Sequence, residues 1–265
     1  MAPTQQEKGQ AFRALHEGEP FLIPNPWDAG SARILEALGF EALATTSGGF
    51  AMTLGRLDGD VTLDEVVGHT RSLASATGLP VSVDLENGYG PAPEDAARAI
   101  TAAAEAGAVG GSIEDWDRES GIYEQAHAVE RVAAAVDAAR AFDFPFTLTA
   151  RAENHLRGNP ALDDTIARLQ AYEAAGADVI YAPGLANGDE VRAVAEVTAK
   201  AQNVLAHPGL SMSEIVDAGG QRVSVGSQLA WVAIGAMARA VEEIRDTGSF
   251  AAFSQRVPIK DWLGA

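Results

Sequence analysis

The sequence predicts a TIM-type (β/α)8 barrel, an α/β fold, in a single domain that spans residues 1–265. Eight short apolar segments alternate with amphipathic segments along the whole chain. Most of these apolar segments lack strict apolar/polar alternation, as expected of parallel strands buried on both faces. No linker or break in composition divides the chain, which favours one closed barrel. An open doubly wound sheet is the alternative, but the Gly-x-Gly-x-x-Gly phosphate turn typical of that fold is missing.

Local patterns predict the individual elements. Apolar residues at three- and four-residue spacing predict helices over Leu63–Ala74, Val129–Val136 and Leu229–Ile244. Several helices run into a glycine, the residue that favours the left-handed conformation at a helix end. These glycines are Gly39, Gly78, Gly107, Gly176 and Gly219. The predicted strands are Phe21–Asn25, Ala42–Ser47, Pro80–Glu86, Gly110–Trp116, Phe146–Glu153, Asp178–Gly184, Asn203–His207 and Arg222–Gly226.

Composition excludes several classes of function. The chain has 37 acidic and 19 basic residues, a formal net charge of -18, and no cysteine. This charge disfavours nucleic acid and anionic membranes as partners. The three lysines, Lys8, Lys200 and Lys260, lie near the chain ends or close a predicted helix, which disfavours Schiff-base catalysis inside the barrel. No apolar run is long enough to span a bilayer and residues 1–10 are polar, so we expect a cytoplasmic protein.

The third predicted strand ends in two acidic residues. Side chains alternate faces along a strand, so Asp84 and Glu86 are expected to point the same way. Carboxylates at the end of a barrel strand, where active sites of this fold lie, suit Mg²⁺ or Mn²⁺. Gly88 and Gly90 then allow a tight turn. The alternative is a half-buried strand whose acids extend to the surface.

The next two predicted strands add an acid and a guanidinium. Glu114 is placed to join Asp84 and Glu86 around one cation, directly or through water, whereas Asp115 faces the helices. Arg151 has the planar fork that binds a substrate carboxylate or phosphonate. Its alternative is an ion pair with Glu153 or with the acidic cluster.

Loops at the same end supply further candidates. Ser47 and Gly48 offer a hydroxyl and backbone N–H groups for an anion, although a plain turn is equally consistent with these residues. Asp58 lies in a polar loop, where a solvated acid is the default. His155 and His207 are interpreted first as structural histidines. A metal flanked by acids, with one arginine and an anion-binding turn, suits a 2-oxo acid whose enolate the metal stabilises.

Several motifs together resemble the phosphoenolpyruvate mutase/isocitrate lyase superfamily. They are Val83–Gly90, Gly111–Asp115, Leu148–Asn154, Thr45–Ser47 followed by Leu57–Gly59, and Arg222–Ser227. The resemblance implies Mg²⁺, a small 2-oxo acid or enolate-like ligand, and a homotetramer that exchanges a terminal helix, with a dimer as the other expectation.

The resemblance also implies roles for the candidate residues. Asp84 would bind the metal directly, while Glu86 and Glu114 would hold its waters. Arg151 would bind the carboxylate or phosphoryl end of the substrate, Ser47 and Gly48 would bind the other anionic oxygens, and Asp58 would lie beside the reacting group. The expected catalytic residues are Asp58, Glu114 and Arg151.

The segment after the fourth strand departs from the superfamily pattern. Isocitrate and methylisocitrate lyases carry a lysine- and cysteine-containing loop there, and phosphonate mutases use a lysine and an asparagine. Asp117–Tyr123 contains none of these residues. The resemblance, together with this departure, therefore implies carbon–carbon cleavage of the oxaloacetate decarboxylase or hydrolase type, or of a lyase type. A phosphonate-handling enzyme and a barrel that binds a metabolite without chemistry are the alternatives.

Overall fold

The computed structural model describes residues 2–264, which include one parallel eight-stranded sheet. The strand order is β1-β10-β9-β8-β7-β4-β3-β2, and the Ala44 N–H donates to the Pro24 carbonyl at 3.1 Å between the two end strands. With helices between the strands, this is a nearly closed (β/α)8 barrel, and the predicted fold class is confirmed. The strands are β1 Phe21–Ile23, β2 Leu43–Ala44, β3 Val81–Asp84, β4 Gly110–Glu114, β5 Trp116–Asp117, β6 Gly121–Ile122, β7 Thr147–Arg151, β8 Val179–Tyr181, β9 Ala201–Leu205 and β10 Arg222–Ser224.

The barrel strands are shorter than predicted at their carboxyl ends. Strand β3 stops at Asp84, so Glu86 lies in the following turn and not in the strand. The alternation argument for a shared face of Asp84 and Glu86 was therefore wrong for Glu86. Ser47 likewise begins a helix and does not end β2. Trp116, expected in the fourth strand, belongs to β5, which pairs with β6 in a separate antiparallel hairpin.

Helices cover the outside of the sheet. They are α1 Gln5–Glu17, α2 Ala29–Ala37, α3 Ser47–Thr53, α4 Leu63–Ala76, α5 Pro93–Glu105, α6 Gln125–Arg140, α7 Leu162–Ala174, α8 Gly188–Ala195, α9 Met212–Asp217, α10 Gln228–Thr247 and α11 Ile259–Leu263. The α2 helix starts at Asp28, whose carboxylate accepts from the Ser31 N–H at 2.7 Å, as a helix cap does. None of the helices in residues 2–264 has the length and apolar character needed to cross a bilayer.

The core lies between the sheet and the helices. Leu73 of α4, Ile100 of α5 and Leu169 of α7 are fully buried there, as their helical spacing requires. Gly107 and Gly176 have positive φ where α5 and α7 turn into the next strand. Gly78 does not, because α4 ends through the extended residue Thr77.

Helix α10 covers the barrel incompletely. Of its side chains only Ala230 is buried within the described part of the chain. Its predicted apolar face is largely exposed, and the segment after it continues that exposure. The exposed residues are Trp231, Val232, Met237, Val241, Phe250 and Phe253.

Candidate active site

Two adjoining cavities open at the carboxyl ends of the barrel strands. The first, of about 270 Å³, lies beneath the β5–β6 hairpin and is called here the lid cavity. The second, of about 200 Å³, extends into the barrel and is called the lumen cavity. Ser47, Asp58 and Arg151 line both.

Six of the seven candidate site residues line these cavities. Besides the three shared residues, Glu86 and Glu114 line the lid cavity and Asp84 lines the lumen cavity. Gly48 lines neither, yet it packs tightly in the first turn of α3. A Cβ at Gly48 would lie 2.8 Å from the Ser227 Oγ and 3.3 Å from the Asp58 Cγ.

Arg151 is bound by three carboxylates. The register of the sheet places it opposite Glu114 of β4. Its guanidinium donates to Asp84 Oδ1 at 2.9 Å and to Glu153 Oε1 at 2.7 Å, and its Nη2 lies 3.0 Å from Glu114 Oε2. Burial disfavours the charged guanidinium, but the charges of Glu153, Glu114 and Asp84 outweigh this and raise the pKa of Arg151. In this structure Arg151 therefore forms ion pairs with Glu153 and with the acidic cluster, which was the alternative interpretation of this residue.

Asp84 is also held by the backbone of α3. The Ser47 N–H donates to Asp84 Oδ2 at 3.3 Å, and the Asp84 N–H donates to the Thr45 Oγ1 at 2.8 Å. The carboxylate therefore contacts the first N–H of a helix and a guanidinium at once.

Glu114 and Glu86 are acids in unfavourable surroundings. Burial, followed by the charge of Glu153, raises the pKa of Glu114 well above its ordinary value. Burial, followed by the charges of Asp84 and Asp58, raises the pKa of Glu86 to about 8. Nearby arginines offset these effects only in part. The cavities thus contain more buried carboxylate than the arginines neutralise.

The turn that carries Glu86 is strained and leaves polar atoms without partners. Glu86 and Tyr89 have positive φ of 48° and 63°, uncommon for residues other than glycine. Gly88 lies between them, where a Cβ would be 2.8 Å from the Ala96 Cα. Glu86 Oε1 and the Tyr89 hydroxyl are buried without a hydrogen-bond partner, and both residues line the lid cavity.

These features fit a hydrated divalent cation. Within residues 2–264, no three histidine, aspartate or glutamate side chains converge as a ready-made ligand set. Mg²⁺ does not require one, because it keeps several waters and binds through one or two carboxylates. A cation with its waters would supply both the charge and the hydrogen bonds that Glu86 and its neighbours lack.

Asp115 points toward the helices, as predicted, and its role is structural. Its carboxylate accepts from Arg168 Nη1 at 2.9 Å, from the Tyr172 hydroxyl at 2.5 Å and from the Glu153 N–H at 2.7 Å. It thereby ties α7 to β4 and orients the backbone of Glu153. His155 also lies outside the cavities, with its Nδ1 3.1 Å from the Thr165 Oγ1.

The β5–β6 hairpin forms the lid over the first cavity. Arg118 at its tip donates to Asp60 Oδ1 and to the Asp58 carbonyl, both at 2.6 Å. Asp117 accepts from Asn87 Nδ2 at 3.0 Å. The lid therefore contacts both the Asp58 loop and the turn after β3.

Arg157 lines the lid cavity and was not identified from the sequence. Arg157 lies in the loop after β7, and its guanidinium carbon is 3.5 Å from the ring centroid of Trp116. No periodicity or motif marks Arg157, which follows Arg151 by six residues in an irregular loop. The one feature of the sequence that could have identified Arg157 as a candidate is its charge within a loop rich in polar residues.

The family model of phosphoenolpyruvate phosphomutase matches residues 12–245. The chain belongs to the phosphoenolpyruvate mutase/isocitrate lyase superfamily. The predicted resemblance is therefore confirmed, and the superfamily comprises lyases and mutases.

Related proteins span several reactions. A solved structure of a candidate lyase/mutase from Burkholderia cenocepacia J2315 is 52% identical, with a TM-score of 0.95, covering 98% of this chain and 97% of that chain. Oxaloacetate decarboxylase from Bradyrhizobium diazoefficiens is 32% identical over 73% of this chain and 69% of its own. The 2-methylisocitrate lyase of Salmonella typhimurium is 32% identical, and the match covers 71% of this chain and 66% of that lyase.

Proposed function

We propose that this protein is a Mg²⁺- or Mn²⁺-dependent enzyme that cleaves a carbon–carbon bond in a small 2-oxo acid through an enolate-like intermediate. One observation supports it above the others. The buried Glu86 carboxylate has an oxygen without a partner and a pKa raised to about 8, beside the charges of Asp84 and Asp58. A cation in this cavity would stabilise the ionised form of Glu86, which its surroundings otherwise disfavour.

Asp84 is proposed to bind the cation directly, and Glu86 and Glu114 to hold its waters. Bound there, the cation supplies Lewis acidity toward the keto and carboxylate oxygens of the substrate. Because burial and neighbouring acids raise the pKa of Glu86, binding of the cation would release a proton from it.

The remaining roles belong to Arg151, to the start of α3 and to Asp58. Arg151 is proposed to stabilise negative charge on the substrate and to hold the side chains of Asp84 and Glu114 in position. Ser47 and Gly48 position anionic oxygens of the substrate at the start of α3. Asp58, which lines both cavities, is placed to move a proton at the carbon next to the keto group.

The lid favours cleavage of the oxaloacetate type. Asp117–Tyr123 contains no cysteine or lysine, so a proton donor of the isocitrate lyase kind is missing from this segment. Decarboxylation releases carbon dioxide and needs no such donor to the leaving group. A relative named oxaloacetate decarboxylase supports the same choice.

Turnover of oxaloacetate with Mg²⁺ tests the proposal. We expect either carbon dioxide and pyruvate, or oxalate and acetate, together with exchange of the pyruvate methyl hydrogens in D₂O. Asp84→Asn should abolish product formation, whereas Arg98→Gln, at an exposed ion pair on α5, should not.

Other outcomes separate the rival functions. Turnover of phosphonopyruvate with oxaloacetate left intact would identify a phosphonate-handling enzyme instead. Tight oxalate binding with no turnover of any 2-oxo acid would identify a metabolite-binding barrel. Either result contradicts the proposed reaction.

We also propose that the protein is a cytoplasmic homo-oligomer, a tetramer or a dimer, in which α10 and the segment after it pack against a second copy. The exposed apolar residues of α10, including Trp231, Val232 and Met237, support this arrangement. Light scattering of the purified chain measures its mass, and a monomer at micromolar concentration would contradict it.

A further inference from the structure

Three arginines line the lid cavity, and they differ in what their guanidinium groups bind. Arg151 donates to Asp84 and Glu153. Arg118 donates to Asp60 and to the Asp58 carbonyl. The Arg157 guanidinium makes no hydrogen bond to any residue in the range 2–264. It is the cavity arginine whose N–H groups remain available to a ligand.

The position of Arg157 is nevertheless fixed. Its backbone N–H donates to the Glu153 carbonyl at 2.9 Å, and its side chain is only partly exposed. The guanidinium is 3.5 Å from the ring centroid of Trp116, within cation–π distance. The donors of a guanidinium lie in its plane, so contact through its face leaves them free at the edge.

Nearby acids do not satisfy these donors. Glu153 Oε2 lies 3.4 Å from the Arg157 Nε, and Glu114 Oε1 lies 3.8 Å from its Nη2. Both separations are long for a charge-assisted hydrogen bond, and both acids already bind Arg151 at shorter distances. Arg157 therefore forms two ion pairs at longer range, and its N–H donors are left without a short hydrogen bond.

We propose that Arg157, stacked on Trp116, binds a second anionic group of the substrate and so selects 2-oxo acids that carry a distal carboxylate. This inference rests on the proposed function, because the 2-oxo acid end of the same substrate molecule is proposed to bind at the cation site. The cation there offsets the negative charge of the acids around Arg157. The lid supplies no lysine for that purpose, and its one arginine is bound to Asp58 and Asp60. Arg157 is thus a specificity-determining residue, and Trp116 is its positioning residue.

Two probes that share one oxamate group test the inference. N-oxalylglycine and N-ethyloxamate have the same oxamate end, but only the first has a distal carboxylate. Their dissociation constants are measured by calorimetry with saturating Mg²⁺, alongside those of oxalate, which has no distal group. In the wild type we expect N-oxalylglycine to bind about tenfold or more tighter than N-ethyloxamate.

Substitutions then assign the preference to Arg157. Arg157→Gln should remove it, while the affinities for oxalate and N-ethyloxamate change less than about twofold. Arg157→Lys keeps the positive charge but lacks the two parallel N–H donors of a guanidinium, so it should retain part of the preference for N-oxalylglycine. Trp116→Leu should also retain part of this preference. Arg98→Gln is the matched control, since Arg98 is an exposed arginine paired with Asp95 on α5, and should behave as the wild type.

Each outcome is decisive. A wild type without preference for N-oxalylglycine, or a preference that survives in Arg157→Gln, overturns the inference alone if oxalate still binds. A wild type that fails to bind oxalate with Mg²⁺ overturns the proposed function, and the inference with it. Thermal unfolding of each variant identifies any that fails to fold, and Arg157→Lys then takes the place of Arg157→Gln.

Discussion

Two buried arginines at opposite ends of the barrel strands have contrasting surroundings. Arg151 ends β7 among three carboxylates, and its pKa is raised. Arg222 begins β10 and donates to Asn203 Oδ1 at 2.8 Å and to the Thr149 Oγ1 at 3.0 Å. No ion pair of Arg222 occurs within residues 2–264, and burial lowers its pKa to about 10.

The contrast distinguishes a buried guanidinium that serves the fold, Arg222, from one that belongs to the candidate active site, Arg151. This fold accommodates a buried guanidinium with neutral acceptors at Arg222, so three carboxylates are not required to bury Arg151. Their number instead makes ionisation of further acids nearby unfavourable, as the raised pKa of Glu86 and of Glu114 indicates. A cation at the proposed site would favour the ionised forms of these acids.

Removal of Arg151 should have the largest effect. Arg151→Met removes the guanidinium that binds Asp84, Glu114 and Glu153 at short range, and the longer contacts of Arg157 to Glu153 and Glu114 compensate only in part. The free energy of unfolding should therefore fall by about 3–5 kcal/mol. Oxaloacetate turnover should be lost. Urea unfolding at pH 7.5 measures the change, and added Mg²⁺ should restore part of it. A loss below about 1 kcal/mol would show that the carboxylates do not depend on this guanidinium.

The matching substitution at Arg222 should have a smaller effect. Arg222→Met leaves only neutral acceptors without a donor, so we expect a fall of about 1–3 kcal/mol in the free energy of unfolding. Arg222 lines the lumen cavity, but its hydrogen bonds go to Asn203, Thr149 and His16 and not to the acids at the carboxyl ends. Mg²⁺ affinity should therefore change little. Equal losses for the two variants, measured in the same urea series, would remove the distinction between the two arginines.

A pH dependence near Arg222 should be smaller still. Burial, with the charge of Arg222, lowers the pKa of His16 to about 3 from 6.5. Between these values the unfolded chain binds more protons than the folded one, so stability rises with pH across the window and is level above it. From pH 7.5 to pH 6.0 this contributes a loss of about 0.8 kcal/mol.

The His16→Gln variant isolates that contribution. Its free energy of unfolding should fall less than that of the wild type over the same pH interval. Parallel pH profiles for the two proteins would mean that His16 has its ordinary pKa in the fold.

The sequence was sufficient for the fold and for most lining residues, because both depend on local pattern. Eight apolar segments between amphipathic ones identify the barrel, and the carboxyl ends of its strands then locate Asp84, Glu114 and Arg151. The outward direction of Asp115 also follows from local geometry. Each of these inferences uses neighbours within a few residues.

Long-range contacts account for what the sequence did not reveal. Glu86 reached the lid cavity through a left-handed turn and not through strand alternation. Arg157 meets Trp116 across 41 positions of sequence, and the hairpin that carries Trp116 has only two residues in each strand. Nothing in the local pattern specifies either contact, because both arise from how loops on different strands meet.

The central claim is that a divalent cation binds at the carboxyl ends of the strands with Asp84 as its direct ligand. Titration with Mn²⁺ in the presence of oxalate, followed by electron paramagnetic resonance of the free ion, tests it most directly. The account predicts one bound ion per chain, and an affinity at least tenfold lower in Asp84→Asn. No bound ion, or equal affinity in the wild type and Asp84→Asn, would contradict it.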